Sequence, residues 1–490
     1  MAYAFKTTPF AHQKLWFDRT CTIPAWGIWW EQGTGKTKLG IDTAAALFEA
    51  GEITALFIVA PNGVHRNWVS DELPKHLPDR LVDQTHTLLW HSALSNRKGF
   101  QELAYSALKH PGLLIVAMSY DAMMTQIGAE YAKLLLTKRR CFYILDESSR
   151  IKNPGAKRTK RILASARFAP YRRVMNGTPV DNSPFDVYTQ AKFLRDDIWF
   201  GIGCGTFAAF KATFGVFTQG MNWNQNRSYQ ELVSFKNLEL LKSVMDTTGC
   251  RVTKEEVFDL PPKLYQKRYF ELGTRSRNTY NDLRDDFVSN LAEGEISAAI
   301  AIVRLGRLQQ ITSGFVPVEP SAGSTELAPI LDLDVPNPRI ELLREIVDDT
   351  PGKIIVWAKY TRDIDLILAA LHEDGVRAVR YDGQVKDQDR AAALTEFRQG
   401  AARVFVSKVS VGGLGITLVE AKTVIYYNNT FRLSDRLQSE DRAHRHGQTH
   451  AVTYIDLIAQ GTVDEQLVDA LREKREVASF LTGDQLRAWL

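Results

Sequence analysis

Residues 27–48 read GIWWEQGTGKTKLGIDTAAALF. An apolar run, Gly27 to Trp30, gives way to a glycine-rich turn and then to a helical pattern opening near Lys36. Such a turn lets backbone N–H groups converge on phosphate oxygens, and the helix behind it turns its positive end on the same anion. In that geometry Gly33, Thr34 and Gly35 cradle the phosphates of ATP, Lys36 contacts the terminal ones and Thr37 ligates Mg2+ through its hydroxyl. The pattern GxxxxGK[ST] asks for glycine at position 30, where this chain has Trp30; the GTGKT core and its strand-to-helix setting are kept.

Further along, FYILDESSRIKN (142–153) is an apolar strand ending on Asp146 and Glu147. Adjacent carboxylates at a strand end are costly unless used, and phosphate-loop motors use one for Mg2+ and one to position or deprotonate the attacking water. Asp146 takes the metal role and Glu147 the water. QSEDRAHRHGQ (438–448) sets Arg442 and Arg445 three apart, on one face of a predicted helix. A guanidinium that offsets charge on the transferring phosphoryl group is worth roughly 10³ to 10⁵ in rate. Because these arginines lie far down the chain, hydrolysis is expected at a cleft between two lobes.

The rest of the chain frames that site. At 490 residues two or three domains are expected. With 44% hydrophobic and 24% charged residues the composition is globular, and no apolar run reaches membrane-spanning length. Short strand-like runs alternate with helical patterns in both halves, which predicts an α/β fold of two RecA-like lobes built on parallel sheets. The bounds read as 1–199 for the first lobe, 200–315 for a mainly helical insertion, 316–338 for a proline-rich hinge and 339–490 for the second lobe. Tyr280, Leu283, Phe287 and Leu291 recur at helical spacing, as packing surface. The N-terminus carries no secretory pattern, which places the protein where it is made: in the cytoplasm of a bacterial or phage-infected cell, or in the nucleus of a eukaryote. Cys21, Cys141, Cys204 and Cys250 are scattered without a CxxC pair, so neither zinc nor a disulfide framework is expected.

Net charge is only +4, yet between Lys138 and Arg173 twelve Lys and Arg residues face two acids, Asp146 and Glu147. A polyanion suits such a stretch, and Arg150, Lys152, Lys157, Arg158, Lys160 and Arg161 follow the acids directly.

Together these segments resemble a superfamily 2 helicase of the Swi/Snf type, a family of double-stranded DNA translocases, from about Pro9 to the C-terminus. PFAHQKLWF (9–17) resembles the adenine-reading segment, which implies that Gln13 binds the base. FIVAPNGVHRNWVSDE (57–72) resembles the family's motif Ia and implies DNA contact by Asn67 and Trp68. VMNGTPVDNSPFDVYTQAKFL (174–194) is similar to motif III, whose Gly177, Thr178 and Pro179 are implied to couple nucleotide state to DNA. VSKVSVGGLGITLVEAKTVIYY (406–427) is similar to motif V, implying DNA contact by Ser407 and Lys408 and ATP contact by Gly413 and Gly415. Motif VI carries Gln438, Arg442 and Arg445 over to the γ-phosphate. RVTKEEVFDLPPK (251–263) and LGRLQQITSG (305–314) resemble the family's interlobe insertions. Two departures stand out: Ser148-Ser149 replaces the usual end of the acidic motif, removing the histidine that links it to the coupling network, and Asn429-Thr430-Phe431 replaces a tryptophan-proline pair.

The resemblance implies a DNA-stimulated ATPase that uses ATP and Mg2+ and translocates on double-stranded DNA. A strand-separating or branch-migrating helicase acting on forked or branched DNA is the alternative. A non-hydrolysing DNA-binding scaffold is the third possibility, motivated by Ser148-Ser149.

Overall fold

The computed structural model describes residues 3–222, 227–292, 298–318, 326–329, 336–409 and 416–482 of the chain. The described residues fall into two compact units. The first takes in those up to Val216, Ser234–Asp259 and those from Glu476; the second takes in Phe217–Val233 and Leu260–Arg475.

Strands up to residue 252 are β1 (Ala25–Trp30), β2 (Ala55–Ala60), β3 (Thr85–Leu89), β4 (Leu113–Ser119), β5 (Cys141–Asp146), β6 (Tyr171–Met175), β7 (Gly215–Asn222), β8 (Arg227–Phe235) and β9 (Gly249–Val252). Among the described residues, seven of them form one sheet in the order β3-β4-β2-β5-β6-β1-β9, with every pairing parallel. Parallel sheets are covered on both faces and so read as unbroken apolar runs. ALFIVA in β2, LLIVAMS in β4 and CFYILD in β5 are buried at every position. Each large apolar side chain so buried contributes about 1.5–3 kcal/mol. Because β5, β6 and β1 are neighbours and run the same way, the segments leaving their C-terminal ends emerge at one edge of the sheet. In open α/β sheets that edge is where ligands bind.

The second unit continues with β10 (Lys263–Phe270), β11 (Phe315–Val318), β12 (Glu326–Pro329), β13 (Lys353–Ala358), β14 (Ala378–Tyr381), β15 (Val404–Lys408), β16 (Ala421–Tyr426) and β17 (Val452–Ala459). Its main sheet runs β10-β17-β16-β13-β15-β14, again parallel throughout. β13 is the hub: Ile354, Val356 and Ala358 pack into one apolar cluster while Ile355 and Trp357 pack into the other. The α/β architecture with two parallel sheets is thus as expected.

The stretch 200–315 carries the helices Phe207–Phe214, Leu238–Asp246, Thr274–Ala292 and Ala298–Thr312, and it carries strands as well. It holds the two-stranded sheet β7–β8, and it gives one strand to each main sheet, β9 beside β1 and β10 beside β17. GCRV is too short to announce itself, and KLYQKRYF mixes cations with apolar residues because it is an edge strand, where charge discourages further pairing. Tyr280 and Phe287 on the helix Thr274–Ala292 are buried against Leu308, Ile311 and Val463, as packing surface should be. After the excursion Phe217–Val233, the chain passes again from the first unit to the second between Asp259 and Leu260, immediately before Pro261-Pro262. The proline-bearing stretch 316–338 lies wholly past that point, contributing the antiparallel pair β11–β12 and the start of the helix Pro338–Asp349; residues 319–325 and 330–335 lie outside the described residues. Among the described residues no helix is long and apolar enough to cross a membrane.

Candidate nucleotide site and nucleic-acid interface

The glycine-rich turn leaves the end of β1 and closes onto the helix Lys36–Glu49, whose N-cap is Gly35. Gly33 and Gly35 have φ of 81° and 84°, the left-handed region where a side chain is strained. Trp30 explains the missing glycine: it is still in the strand, its φ is negative, and its fully buried indole donates to the Cys250 thiol at 3.2 Å. Only the loop proper needs glycine. Lys36 Nζ donates to the carbonyls of Trp30 (2.9 Å) and Glu31 (3.0 Å), which holds the ammonium inside the loop. The buried Gln13 also reaches this loop. Its Oε1 accepts from Phe10 N–H at 2.8 Å and its Nε2 donates to Gly35 O at 3.1 Å, so both ends of the amide are engaged with backbone here. His12, unremarked in the sequence, bonds Thr34 O at 2.8 Å through Nε2, and burial pulls its pKa down.

At the end of β5 the two acids differ sharply. Asp146 is buried; its Oδ2 accepts from Trp68 Nε1 at 2.9 Å and its Oδ1 from Glu147 N–H at 3.0 Å. Burial raises its carboxyl above the usual range, against the Trp68 hydrogen bond and the charge of Lys36. A carboxylate so placed, with Thr37 opening the adjacent helix, supplies hard oxygen donors of the kind Mg2+ takes alongside phosphate oxygens. A divalent cation also offsets the cost of burying the carboxylate. Glu147 is half-buried, and Gln32 Nε2 donates to its Oε1 at 3.0 Å. Its φ of 52° is one of two positive values at non-glycine residues among those described.

The segment after β6 meets the same edge. Gly177 packs closely on Gln32: a Cβ there would lie 3.1 Å from Gln32 Cγ and 3.3 Å from Gln32 N. Arg251 of β9 donates to Gly177 O at 3.0 Å and lies 3.5 Å from Glu31. The loss of a histidine after Glu147 does not leave the acidic motif isolated. Ser148 Oγ donates to Gln190 Oε1 at 2.6 Å, and the same oxygen accepts from Asn176 Nδ2 at 2.9 Å.

The residues expected to contact DNA divide in two. Trp68 is 1% exposed and spends its N–H on Asp146, so it packs behind that carboxylate and does not form part of an exposed surface. Asn67 beside it is exposed. Lys152 is ion-paired with Asp181 and Arg158 with Asp121 (2.6 Å), while Arg161 donates to the carbonyls of Met123 and Met124. Those three cations hold the fold together locally. Arg150, Lys157 and Lys160 are exposed. In the second unit Ser407 is fully buried and donates to Tyr381 O, a packing role that removes it from the DNA set, whereas Lys408 at the end of β15 is half-buried.

Gly413 and Gly415 lie outside the described residues. Gln438 sits half-buried on the helix Leu433–Ala443. Arg442 is in that helix's last turn but Arg445 lies beyond its end, so they do not share a helical face. They converge by another route: Arg442 donates to Ile416 O at 3.4 Å and Arg445 to Thr417 Oγ1 at 2.8 Å.

The profile of the SNF2-related domain matches residues 28–313, and that of the helicase conserved C-terminal domain matches residues 338–447. The chain belongs to the SNF2-related family. The TATA-binding protein-associated factor mot1 of Aspergillus fumigatus is 24% identical to this SNF2-related protein over 70% of its chain and 20% of the factor's own length. In Xenopus tropicalis the SWI/SNF-related matrix-associated actin-dependent regulator of chromatin subfamily A containing DEAD/H box 1 is 22% identical over 93% of this chain and 49% of its own. The chain therefore spans half or less of the length of these curated relatives. Among solved structures, the Sulfolobus solfataricus SWI2/SNF2 ATPase core in complex with dsDNA aligns with 99% of this chain and 95% of its own at 20% identity, with a TM-score of 0.42.

Proposed function

We propose that this SNF2-related protein is a DNA-stimulated ATP hydrolase that translocates on double-stranded DNA and so remodels DNA or protein–DNA complexes. One observation carries the reading: Lys36, Asp146 and Glu147 stand at the C-terminal ends of β1 and β5, with the carboxylate of Glu147 held by Gln32 from the phosphate loop itself. Backbone N–H groups of Gly33 to Lys36 bind the phosphates, Lys36 leaves its carbonyl partners for the terminal ones, and Glu147 orients the attacking water and takes its proton. Thr37 and Asp146 would hold Mg2+, which would offset negative charge on the phosphates. Gln13 sits beside the loop as the base-side residue, Gly413, Gly415 and Gln438 add further nucleotide contacts, and Arg442 and Arg445 offset charge on the transferring phosphoryl group. Gly177, Thr178 and Pro179 couple nucleotide state to DNA. Asn67, Arg150, Lys157, Lys160 and Lys408 meet DNA phosphates, which positions a duplex without reading its sequence. The names of the relatives, one associated with TATA-binding protein and one a regulator of chromatin, support proteins on DNA as what is remodelled.

Steady-state ATP hydrolysis with and without linear duplex DNA tests this, beside displacement of a third strand from a triplex and unwinding of a fork. Duplex-stimulated turnover with triplex displacement is expected. Turnover indifferent to DNA overturns the motor, and fork unwinding without triplex displacement makes it a strand-separating enzyme instead.

A further inference from the structure

Gln190 lies on the helix Val187–Leu194 and is completely buried. A buried polar side chain is unfavourable compared with an apolar one unless its hydrogen bonds are made. An amide can donate two and accept two, and Gln190 makes all four: Oε1 accepts from Ser148 Oγ (2.6 Å) and Asn176 Nδ2 (2.9 Å), while Nε2 donates to Pro179 O and Asp186 O, both at 2.8 Å. The partners come from separate segments. Ser148 follows Glu147 directly, and Asn176 and Pro179 bracket Gly177-Thr178. Asn176 is itself fixed, its Oδ1 accepting from Thr178 N–H at 3.0 Å.

These bonds, with one packing contact, close a ring that runs through Glu147. Glu147 is held on one side by Gln32, and Gln32 lies against Gly177, next to Asn176. On the other side Ser148, Gln190 and Asn176 return to the same segment. The residue beside Gln190 extends the ring toward the basic surface: Thr189 Oγ1 donates to Ile151 O at 2.6 Å, and that carbonyl also accepts from Thr159 Oγ1 at 3.0 Å. On the helix Lys157–Ala166, Thr159 lies two residues after Lys157 and next to Lys160, and Arg150 adjoins Ile151. One short helix thus fixes both the backbone after Glu147 and the segment bearing the exposed cations.

We propose that Gln190 is a positioning residue that acts through Ser148 on Glu147, and that it relays engagement of a nucleic-acid backbone on Arg150, Lys157 and Lys160 to the water-orienting carboxylate. The inference rests on the DNA-stimulated ATPase reading and names the residue through which stimulation works. The full chain is compared with Gln190→Leu, Ser148→Ala and the double variant, measuring kcat and KM for ATP with and without duplex DNA, and DNA affinity. Each single variant is expected to keep KM and DNA affinity within about threefold and to lower the ratio of DNA-stimulated to DNA-free turnover roughly tenfold or more, as small misplacements of a reacting group do. The double variant lowers the ratio no further than the worse single one, since both remove one link. If Gln190→Leu does not fold, Ser148→Ala, which deletes a single hydroxyl, decides the matter by the same ratio. A ratio unchanged in the variants, or lowered additively, overturns the relay and leaves the ATPase reading standing. Wild-type turnover indifferent to duplex DNA overturns both.

Discussion

Glu147 holds a left-handed backbone at φ 52°, a conformation that costs a non-glycine residue about 1–3 kcal/mol and persists only where the surroundings impose it. Gln32 supplies one restraint, donating to Oε1, and glutamine at position 147 keeps an oxygen for that bond while losing the ability to take a proton. Glu147→Gln should therefore lower kcat for ATP hydrolysis by roughly 10²- to 10⁴-fold, with ATP affinity, read by equilibrium binding of a fluorescent analogue, within about twofold of the parent. A variant that turns over at the parental rate removes Glu147 from catalysis. Gly35 is constrained differently. Its φ is 84°, and an added Cβ would lie 2.0 Å from Gln13 Nε2. Gly35→Ala should abolish measurable nucleotide binding, and truncating Gln13 in the same chain should not restore it, because the backbone strain outlasts the clash. Restored binding in the double variant assigns the whole effect to Gln13.

At the scale of elements, the helix Lys157–Ala166 and the turn before it show what a count of charges hides. Twelve cations against two acids suggest one basic surface, but a sequence does not say which cations the fold consumes. Asp121 and Asp181, distant in the chain, claim Arg158 and Lys152, and helix-end carbonyls claim Arg161. Every DNA phosphate that a protein ceases to neutralise makes the dependence of log K on log salt shallower by about 0.9 on duplex DNA. Replacing Arg150, Lys157 and Lys160 with alanine should make it shallower by roughly two to three, with little change in Tm. Lys152→Ala should act the other way, lowering Tm by leaving Asp181 buried without its cation while the salt slope holds. Salt titrations of duplex binding and thermal melts separate the two groups, and equal slopes in parent and triple variant remove this helix from the interface. The strand ends were legible because their signal is local: GTGKT and Asp146-Glu147 announce a turn and an acid pair within a few residues. The Trp68 bond to Asp146 and the Gln190 hub were not, since they join residues 78 and 42 positions apart.

For the whole chain, the alternation of apolar runs was enough to specify two parallel sheets, because strands buried on both faces leave no polar face to confuse the pattern. What it could not specify was the division of the middle third, where β9 and β10 join different sheets. The second unit also contains buried charge that no periodicity reveals, and that charge makes stability depend on pH. Asp363 is fully buried beneath Asn428, whose Nδ2 donates to it at 2.5 Å, and burial pushes its carboxyl up to about 7 against that bond and the charge of Arg339. Unfolded, the group loses its proton near pH 4. Between those values the folded chain binds the extra proton, so stability falls as pH rises, by at most a few kcal/mol, and the loss is complete above about 7. Glu440 does not interfere: burial would raise it, but Lys263, Arg436 and Arg475 hold it well below the carboxylate range, so it stays charged throughout this window. His12, His65 and His76, lowered by burial, give stability that rises with pH, equally in parent and variant. Asp363→Asn keeps an acceptor for Asn428 and has no proton to lose. On raising the pH from 5 to 8, thermal melts should therefore show the variant gaining Tm relative to its parent, and parallel shifts in the two chains would mean that Asp363 does not titrate in this range.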